Sequence, residues 1–247
     1  MKRLNKMVRA MAVAGVLCSG VTQAALIDRG GGLLYDDVLK VTWLQDANYA
    51  KTSGYDSDGR MNWNAAVTWA SSLDISRFAG ESLSGWRLAS NAPVVPGDWN
   101  ANFSYDGSTN MGYNITSPNS ELAYMYYINL RLKGFYSPTG DIQPDFGVFG
   151  DGTIGGQKDV SPVKNLQSAS YWSGTNNPQL PADTKWHFAT NLGGQGWAYQ
   201  TNELYAWAVR PGDVAAVPEP ETYALLLAGL GLLGVVANRR RRSFAAS

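Results

Sequence analysis

The sequence predicts one α+β domain with two helices and a twisted antiparallel sheet at its C-terminal end, on three observations. Two stretches carry apolar residues at helical spacing, Trp63 to Leu73 and Leu122 to Tyr126. From Tyr171 to Arg210 the pattern changes to short aromatic and β-branched runs separated by Gly, Asn and Asp. Between the terminal segments 1–24 and 215–247 lie about 190 residues without an internal repeat of fixed period, a length suited to a single domain.

The elements follow in chain order. Leu33 to Tyr35 and Leu39 to Leu44 read as a hairpin around the acidic turn Asp36-Asp37, with Val41 and Trp43 alternating against Lys40 and Thr42. Tyr49 to Arg60, with Ser53-Gly54 and Asp58-Gly59, reads as a loop. Asn62 is placed to cap the first helix, whose inward stripe is Trp63, Ala66, Val67, Ala70 and Leu73 with Trp69 at its edge. Gly85 to Leu88 reads as a short strand, and Pro93 to Asn114 as a long surface insertion. Ser117-Pro118 is a hydroxyl cap with proline in the first turn, predicting a second helix that buries Leu122, Met125 and Tyr126 and ends near Gly134. Gly147 to Lys158 reads as glycine-rich loop. Strands are then expected at Tyr171 to Ser173, Trp186 to Thr190, Gly196 to Gln200 and Tyr205 to Arg210.

Both ends have a different character from the body. Lys2, Arg3, Lys6 and Arg9 precede the apolar run Met11 to Leu17, and Thr22-Gln23-Ala24 is the small-x-small pattern that signal peptidase reads. Cleavage after Ala24 is the first expectation and after Ala25 the second. Cys18 is the sole cysteine, and Leu17 stands where a lipoprotein signal needs a small residue. Export would therefore leave no disulfide, thiolate zinc site or cysteine nucleophile. At the other end an uncharged run from Tyr223 to Ala237 would give roughly 22 Å of helix, enough to span a thinned bilayer with snorkelling side chains. Arg239, Arg240, Arg241 and Arg242 follow it and favour the cytoplasmic side.

The formal net charge of zero hides an acidic body. Removing the basic residues of both ends and the two glutamates of the tail leaves 12 basic against 18 acidic side chains, a net charge near −6 without a basic stripe. Nucleic acid is thereby excluded as a partner. The nine tryptophans have two readings, anchors of a core or platforms for sugar rings. Core is the expectation for most, with one or two exposed.

Few residues point to chemistry. His187 is the sole histidine, lies between Trp186 and Phe188 in an expected strand, and has no Gly-x-Ser-x-Gly elbow to serve. It reads as a hydrogen-bonded structural residue. Asp56-Ser57-Asp58-Gly59 resembles the opening of a calcium loop, but the twelfth position, where a bidentate glutamate belongs, is Val67. Asp56 and Asp58 are thus a weak calcium candidate against the simpler reading of an Asp-Gly surface turn. The span from Asp145 to Asp151 is weaker still. The glycines at 147, 150, 152, 155 and 156 lack the strand and Lys-Ser/Thr of a phosphate loop.

Two resemblances gather these features. Pro218-Glu219-Pro220 directly before the apolar run and arginine cluster resembles the PEP-CTERM sorting signal of Gram-negative bacteria. It implies handling by an exosortase, an inner-membrane intermediate, then the cell surface or extracellular matrix, in a setting of exopolysaccharide and biofilm production. Asn62-Trp63-Asn64-Ala65-Ala66, Gly85 to Leu88, Asn119 to Leu122, Tyr171 to Thr175 and Trp207 to Gly212 resemble, in that order, the DUF1566 (Lcl C-terminal-like) family. That resemblance implies a C-type-lectin-like or formylglycine-generating-enzyme-like domain over 25–214. The family's Pro-Thr after Trp-Arg-Leu is replaced by Ala89-Ser90, which removes a rigid turn. The cysteines of the formylglycine-generating enzymes are missing, so their chemistry is not implied. The expectation is a non-enzymatic exported protein without a required cofactor that binds or organises extracellular polysaccharide. The alternatives are a purely structural matrix or adhesion protein and a secreted hydrolase.

Overall fold

The computed structural model describes residues 26–76, 83–176, 181–214 and 230 of the chain. β1 (Leu26–Gly30), β2 (Leu33–Asp36) and β3 (Val41–Leu44) form an antiparallel meander. The β2–β3 hairpin is the one the sequence predicts. Asp36 closes its turn, with Oδ1 accepting from the backbone N–H of Val38 at 3.0 Å and Leu39 at 2.8 Å. The stretch read as a loop opens instead with one helical turn, α1 (Tyr49–Thr52), because the Asn48 carbonyl accepts from Lys51 and Thr52 while Ala50 is buried.

After β4 (Arg60–Met61) comes α2 (Trp63–Ser71), capped as expected by Asn62, whose side chain accepts from the Ala65 N–H at 3.0 Å. Its inward face is rotated from the predicted stripe. Trp69, expected at the edge, is 1% exposed, and Trp63 is only half-buried. The alanines at 66 and 70 fill little volume, so the large ring between them takes the core. β5 (Arg87–Leu88) follows.

The insertion is not purely surface. It contributes β6 (Phe103–Ser104) and β7 (Met111–Gly112) to the edge of a sheet. The second helix is also displaced. α3 (Glu121–Tyr124) starts four residues after Ser117, which instead begins a turn closed by Ser120 N–H to Ser117 O. A π-helical turn, Met125–Asn129, completes it, so helical structure stops before Leu130 rather than near Gly134. Leu122, Met125 and Tyr126 are buried as predicted.

The glycine-rich loop ends in an unforeseen hairpin, β8 (Gln157–Val160) with β9 (Val163–Gln167). β10 (Ser170–Trp172), β11 (Thr184–Ala189), β12 (Gly194–Tyr199), β13 (Leu204–Tyr205) and β14 (Ala208–Pro211) complete the described elements. Instead of one late antiparallel sheet there are two larger sheets, ordered β1-β2-β3-β14-β5 and β4-β13-β10-β11-β12-β7-β6. Pairs β10–β13 and β6–β7 are parallel. The architecture is thus mainly β with few helices. β14 joins the N-terminal meander, with Val209 opposite Trp43.

The core centres on that junction. Trp43 and Trp207 meet edge to face at 4.8 Å, and the Trp207 indole donates to the Leu44 carbonyl at 2.7 Å. Trp86 and Trp172 are also buried and donate to the carbonyls of Leu83 and Met61. The chain after Leu88, where a rigid turn is missing, is held by Glu121. Its carboxylate takes two 2.7 Å bonds from the Arg87 guanidinium and one of 2.6 Å from the Ser90 N–H. Among the described residues no helix is long and apolar enough to cross a membrane. The run 223–237 lies outside them apart from Leu230.

Candidate functional site

The insertion is fastened to the sheet by side-chain amides. Gln195 of β12 donates to the Asn110 carbonyl at 2.8 Å, and the fully buried Asn110 side chain donates to the Ala92 carbonyl at 3.0 Å. Gly112 is required where β6 and β7 pair. Its φ is +125°, and a Cβ there would lie 1.9 Å from the Ser104 carbonyl oxygen.

Fastened in this way, the insertion holds aromatic rings outward. Phe103, Tyr105, Tyr136 and Tyr113 form a closed circuit with successive centroid distances of 5.0, 4.9, 5.1 and 6.0 Å, every contact edge to face. Phe135 extends it, 4.6 Å from Tyr136 and 4.8 Å from Phe146. Phe103 is 49% exposed and Tyr105 39%, so the circuit is a surface and not a buried core. Asn114 locks its two halves together by donating to the carbonyls of Tyr105 at 2.7 Å and Tyr136 at 2.9 Å. Gly140 leaves room for the Tyr105 ring, which a Cβ would approach to 3.1 Å.

The phenol oxygens of Tyr105, Tyr113 and Tyr136 have no hydrogen-bond partner among the described residues. Burial holds the Tyr113 phenol above its ordinary range, and the neighbouring phenols of Tyr136 and Tyr105 push the same way. It therefore stays a neutral donor and acceptor. From Leu88 to Leu130 the sequence has no Lys or Arg. The insertion offers apolar ring surface and free hydroxyls with no cation of its own, although exposed Arg131 and Lys133 precede Tyr136; this suits the C–H faces and hydroxyl edges of sugars. Composition alone did not single out these rings. Their signal was an insertion rich in aromatics yet empty of basic residues.

The residues singled out from sequence lie elsewhere. Asp56 and Asp58 sit in an exposed turn and bind their own backbone. Asp56 Oδ1 accepts from Asp58 N–H at 3.0 Å and Gly59 N–H at 2.7 Å, and Asp58 Oδ1 from Arg60 N–H at 2.9 Å. Among the described residues no three of His, Cys, Asp and Glu are grouped to hold a metal ion. His187 lies in β11 opposite Trp172 and Gly196. Burial pushes its imidazole down to about 4, with a backbone hydrogen bond at Trp197 pulling the other way. Its Nδ1 is buried without a partner, so the expected full hydrogen bonding is incomplete. Burial also raises the Asp36 carboxyl, but its oxygens serve Val38, Leu39 and the Asn129 amide.

Trp63, expected in the core, is half-buried. Its indole donates to the Ser173 carbonyl at 2.8 Å, and the Lys185 ammonium sits 4.7 Å from the ring centroid. Trp197 is exposed, 6.3 Å from the exposed Tyr199 of the same strand. Ala24, Pro218, Glu219, Pro220 and Arg239 to Arg242 lie outside the described residues.

Residues 216–242 match the model of the PEP-CTERM protein-sorting motif. That motif implies export and sorting by an exosortase, which makes the exosortase a processing partner and a membrane-anchored form the intermediate before the surface. No curated protein and no solved structure matches the chain.

Proposed function

We propose that this is a surface protein of a Gram-negative bacterium that binds extracellular polysaccharide and does not catalyse. A signal peptide, residues 1–24, would start its export and be removed by signal peptidase after Ala24. The tail would insert through 223–237, leave Arg239 to Arg242 in the cytoplasm, and be processed by the exosortase at Pro218-Glu219-Pro220. The observation that carries the binding role is the four-ring circuit of Phe103, Tyr105, Tyr113 and Tyr136, of which Phe103 and Tyr105 are exposed on an insertion without cations. Neither calcium nor another cofactor enters this reading.

A DUF1566-type body with a C-type-lectin-like or formylglycine-generating-enzyme-like fold over 25–214 belongs to the same proposal. Its support is that the quoted motifs cooperate. Arg87 of one grips Glu121 of another, Asn62 caps α2, and Trp207 lies against Trp43 beside the strand that joins the chain's two ends.

Processed protein recovered from native cells, presented to an array of neutral and acidic polysaccharides, tests the binding role. Saturable retention by a neutral polymer is expected, lost about tenfold in Phe103→Ala/Tyr105→Ala, since aromatic contacts contribute roughly 0.5–1.5 kcal/mol each. Absence of saturable binding to any glycan would leave a purely structural matrix protein. Hydrolysis of a polymer, abolished by His187→Gln in a folded protein, would make it an enzyme.

A further inference from the structure

On the seven-stranded sheet, Ser170 of β10 and His187 and Ala189 of β11 share one face, and with β13 they line a cavity of about 450 Å³. That volume falls within the roughly 300–1,000 Å³ of small-ligand pockets. The clefts beside Gly32 and Ile75, at about 180 Å³, and beside Val67 and Gly174, at about 130 Å³, do not.

The cavity's polar lining is Arg60, Ser170, Asn191, Glu203 and Tyr205, together with His187. Asn191 is 6% exposed overall, and its side-chain amide makes no hydrogen bond to the described residues but keeps access to solvent through the cavity. The Ser170 hydroxyl is unpartnered in the same sense, whereas Tyr205 turns its ring to the other sheet face, against Tyr171 at 5.7 Å. An amide open to a cavity and without a protein partner is available to a ligand or to water. Amide and hydroxyl each both donate and accept, the same duality as a sugar hydroxyl.

Charge narrows the class. Arg60 donates from Nε at 3.1 Å and Nη2 at 2.9 Å to the Glu203 backbone carbonyl, so the lining includes one basic and one acidic residue. The His187 ring, neutral above its depressed pKa, adds no charge, so nothing selects a charged ligand. Beside the polar groups, Ala169, Ala189, Leu192 and Leu204 give apolar lining for a C–H face.

We infer that this cavity holds a single neutral sugar residue, a chain end or side branch of the polysaccharide. The inference rests on the polysaccharide-binding reading but uses a different surface from the aromatic circuit. The test is titration calorimetry of the processed protein with methyl glucoside, methyl galactoside and methyl mannoside, with glucuronate and glucosamine as charged controls.

At least one neutral glycoside should bind saturably with one site per chain, and both charged sugars at least tenfold more weakly. Asn191→Leu, which removes the amide, and Ala169→Leu, which fills the cavity from another wall, should each weaken that binding tenfold or more. Should either fail to fold, Ser170→Ala removes one hydroxyl with little change of volume and should weaken it several-fold. Phe103→Ala/Tyr105→Ala should lose polymer retention while leaving glycoside binding unchanged. The inference is overturned if no neutral glycoside binds, if a charged sugar binds more tightly, or if binding survives every folded cavity variant. Polymer retention persisting in those cases would leave the aromatic-edge reading standing. Glycoside binding without polymer retention would sink that reading and spare this one.

Discussion

Trp207, beside β14 of the five-stranded sheet, is 2% exposed, while Trp197 of β12 in the seven-stranded sheet is 42% exposed. The first is packed edge to face with Trp43 and has the Leu44 carbonyl on its indole N–H. The second meets the exposed Tyr199 edge to face. The division also runs within the seven-stranded sheet. Trp172 of β10 and Trp186 of β11, at its middle, are as deeply buried as Trp43, Trp86 and Trp207 around the five-stranded sheet, while at its far edge Phe103 and Tyr105 face outward. Aromatic side chains thus do two jobs here. One set joins β14 to the N-terminal meander, and the other packs only against itself, part of it exposed, on a segment whose backbone is otherwise well fastened.

The largest effect should come from replacing one tryptophan of each kind. Trp207→Ala should cost about 3–5 kcal/mol in urea unfolding, the range for a deleted buried aromatic. Trp197→Ala should cost less than about 1 kcal/mol. Equal costs would erase the division between core and edge aromatics.

The pH dependence of stability probes the seven-stranded sheet next. Burial lowers the His187 pKa to about 4, below the unfolded value near 6.5, so between those values the unfolded chain binds more protons. Its contribution is therefore fully present above pH 6.5 and is lost progressively as the pH falls toward 4, by at most about 3 kcal/mol. His187→Gln should flatten that part of the profile. A wild-type melting curve unchanged between pH 7 and pH 4.5 relative to the variant would mean that the ring is well solvated.

A smaller loss, about 2 kcal/mol, is expected for Glu121→Ala, which frees Arg87 of β5 and the Ser90 N–H. The value lies between those for buried and surface pairs because the Arg87 side chain is 36% exposed while that of Glu121 is 9% exposed. Rescue by Glu121→Gln should be partial, since the amide keeps an acceptor for Ser90 but loses the charge. The smallest effect should be that of Asn62→Ala, about 1 kcal/mol from the lost cap on Ala65. Polymer binding unaltered in this variant would separate the helix from the aromatic edge.

Much of the local structure was legible because its causes are local. Asp36 closing the β2–β3 turn, Asn62 capping α2, and the buried positions of Leu122, Met125 and Tyr126 each depend on residues a few positions apart. Errors arose where an element was too short to leave a periodic pattern or where burial against distant groups decided it. α1 forms because the Asn48 carbonyl finds two donors and Ala50 finds a core, and α3 closes with a π turn that no spacing rule anticipates. The candidate site was legible only as a suspicion about exposed aromatics. Its four rings lie at positions 103, 105, 113 and 136, and their meeting depends on the Asn114 side chain bridging two segments.

By itself the sequence determined the sorting motif at 216–242, the lack of any cysteine beyond position 18, and the turns and caps whose chemistry spans one to four residues. Those signals are read by contact with near neighbours or by processing machinery acting on an extended chain, so no fold is needed to express them. Only the tertiary structure decided that Trp69 is core and Trp63 is not, that β14 pairs with β3, and that a polar cavity opens beside β10, β11 and β13. Each of these depends on which surfaces fit once all are packed together. Val209 and Trp43, register partners in the finished sheet, are far apart in the chain. Loop closure and volume filling choose such partners, and neither leaves a mark on the residues in between.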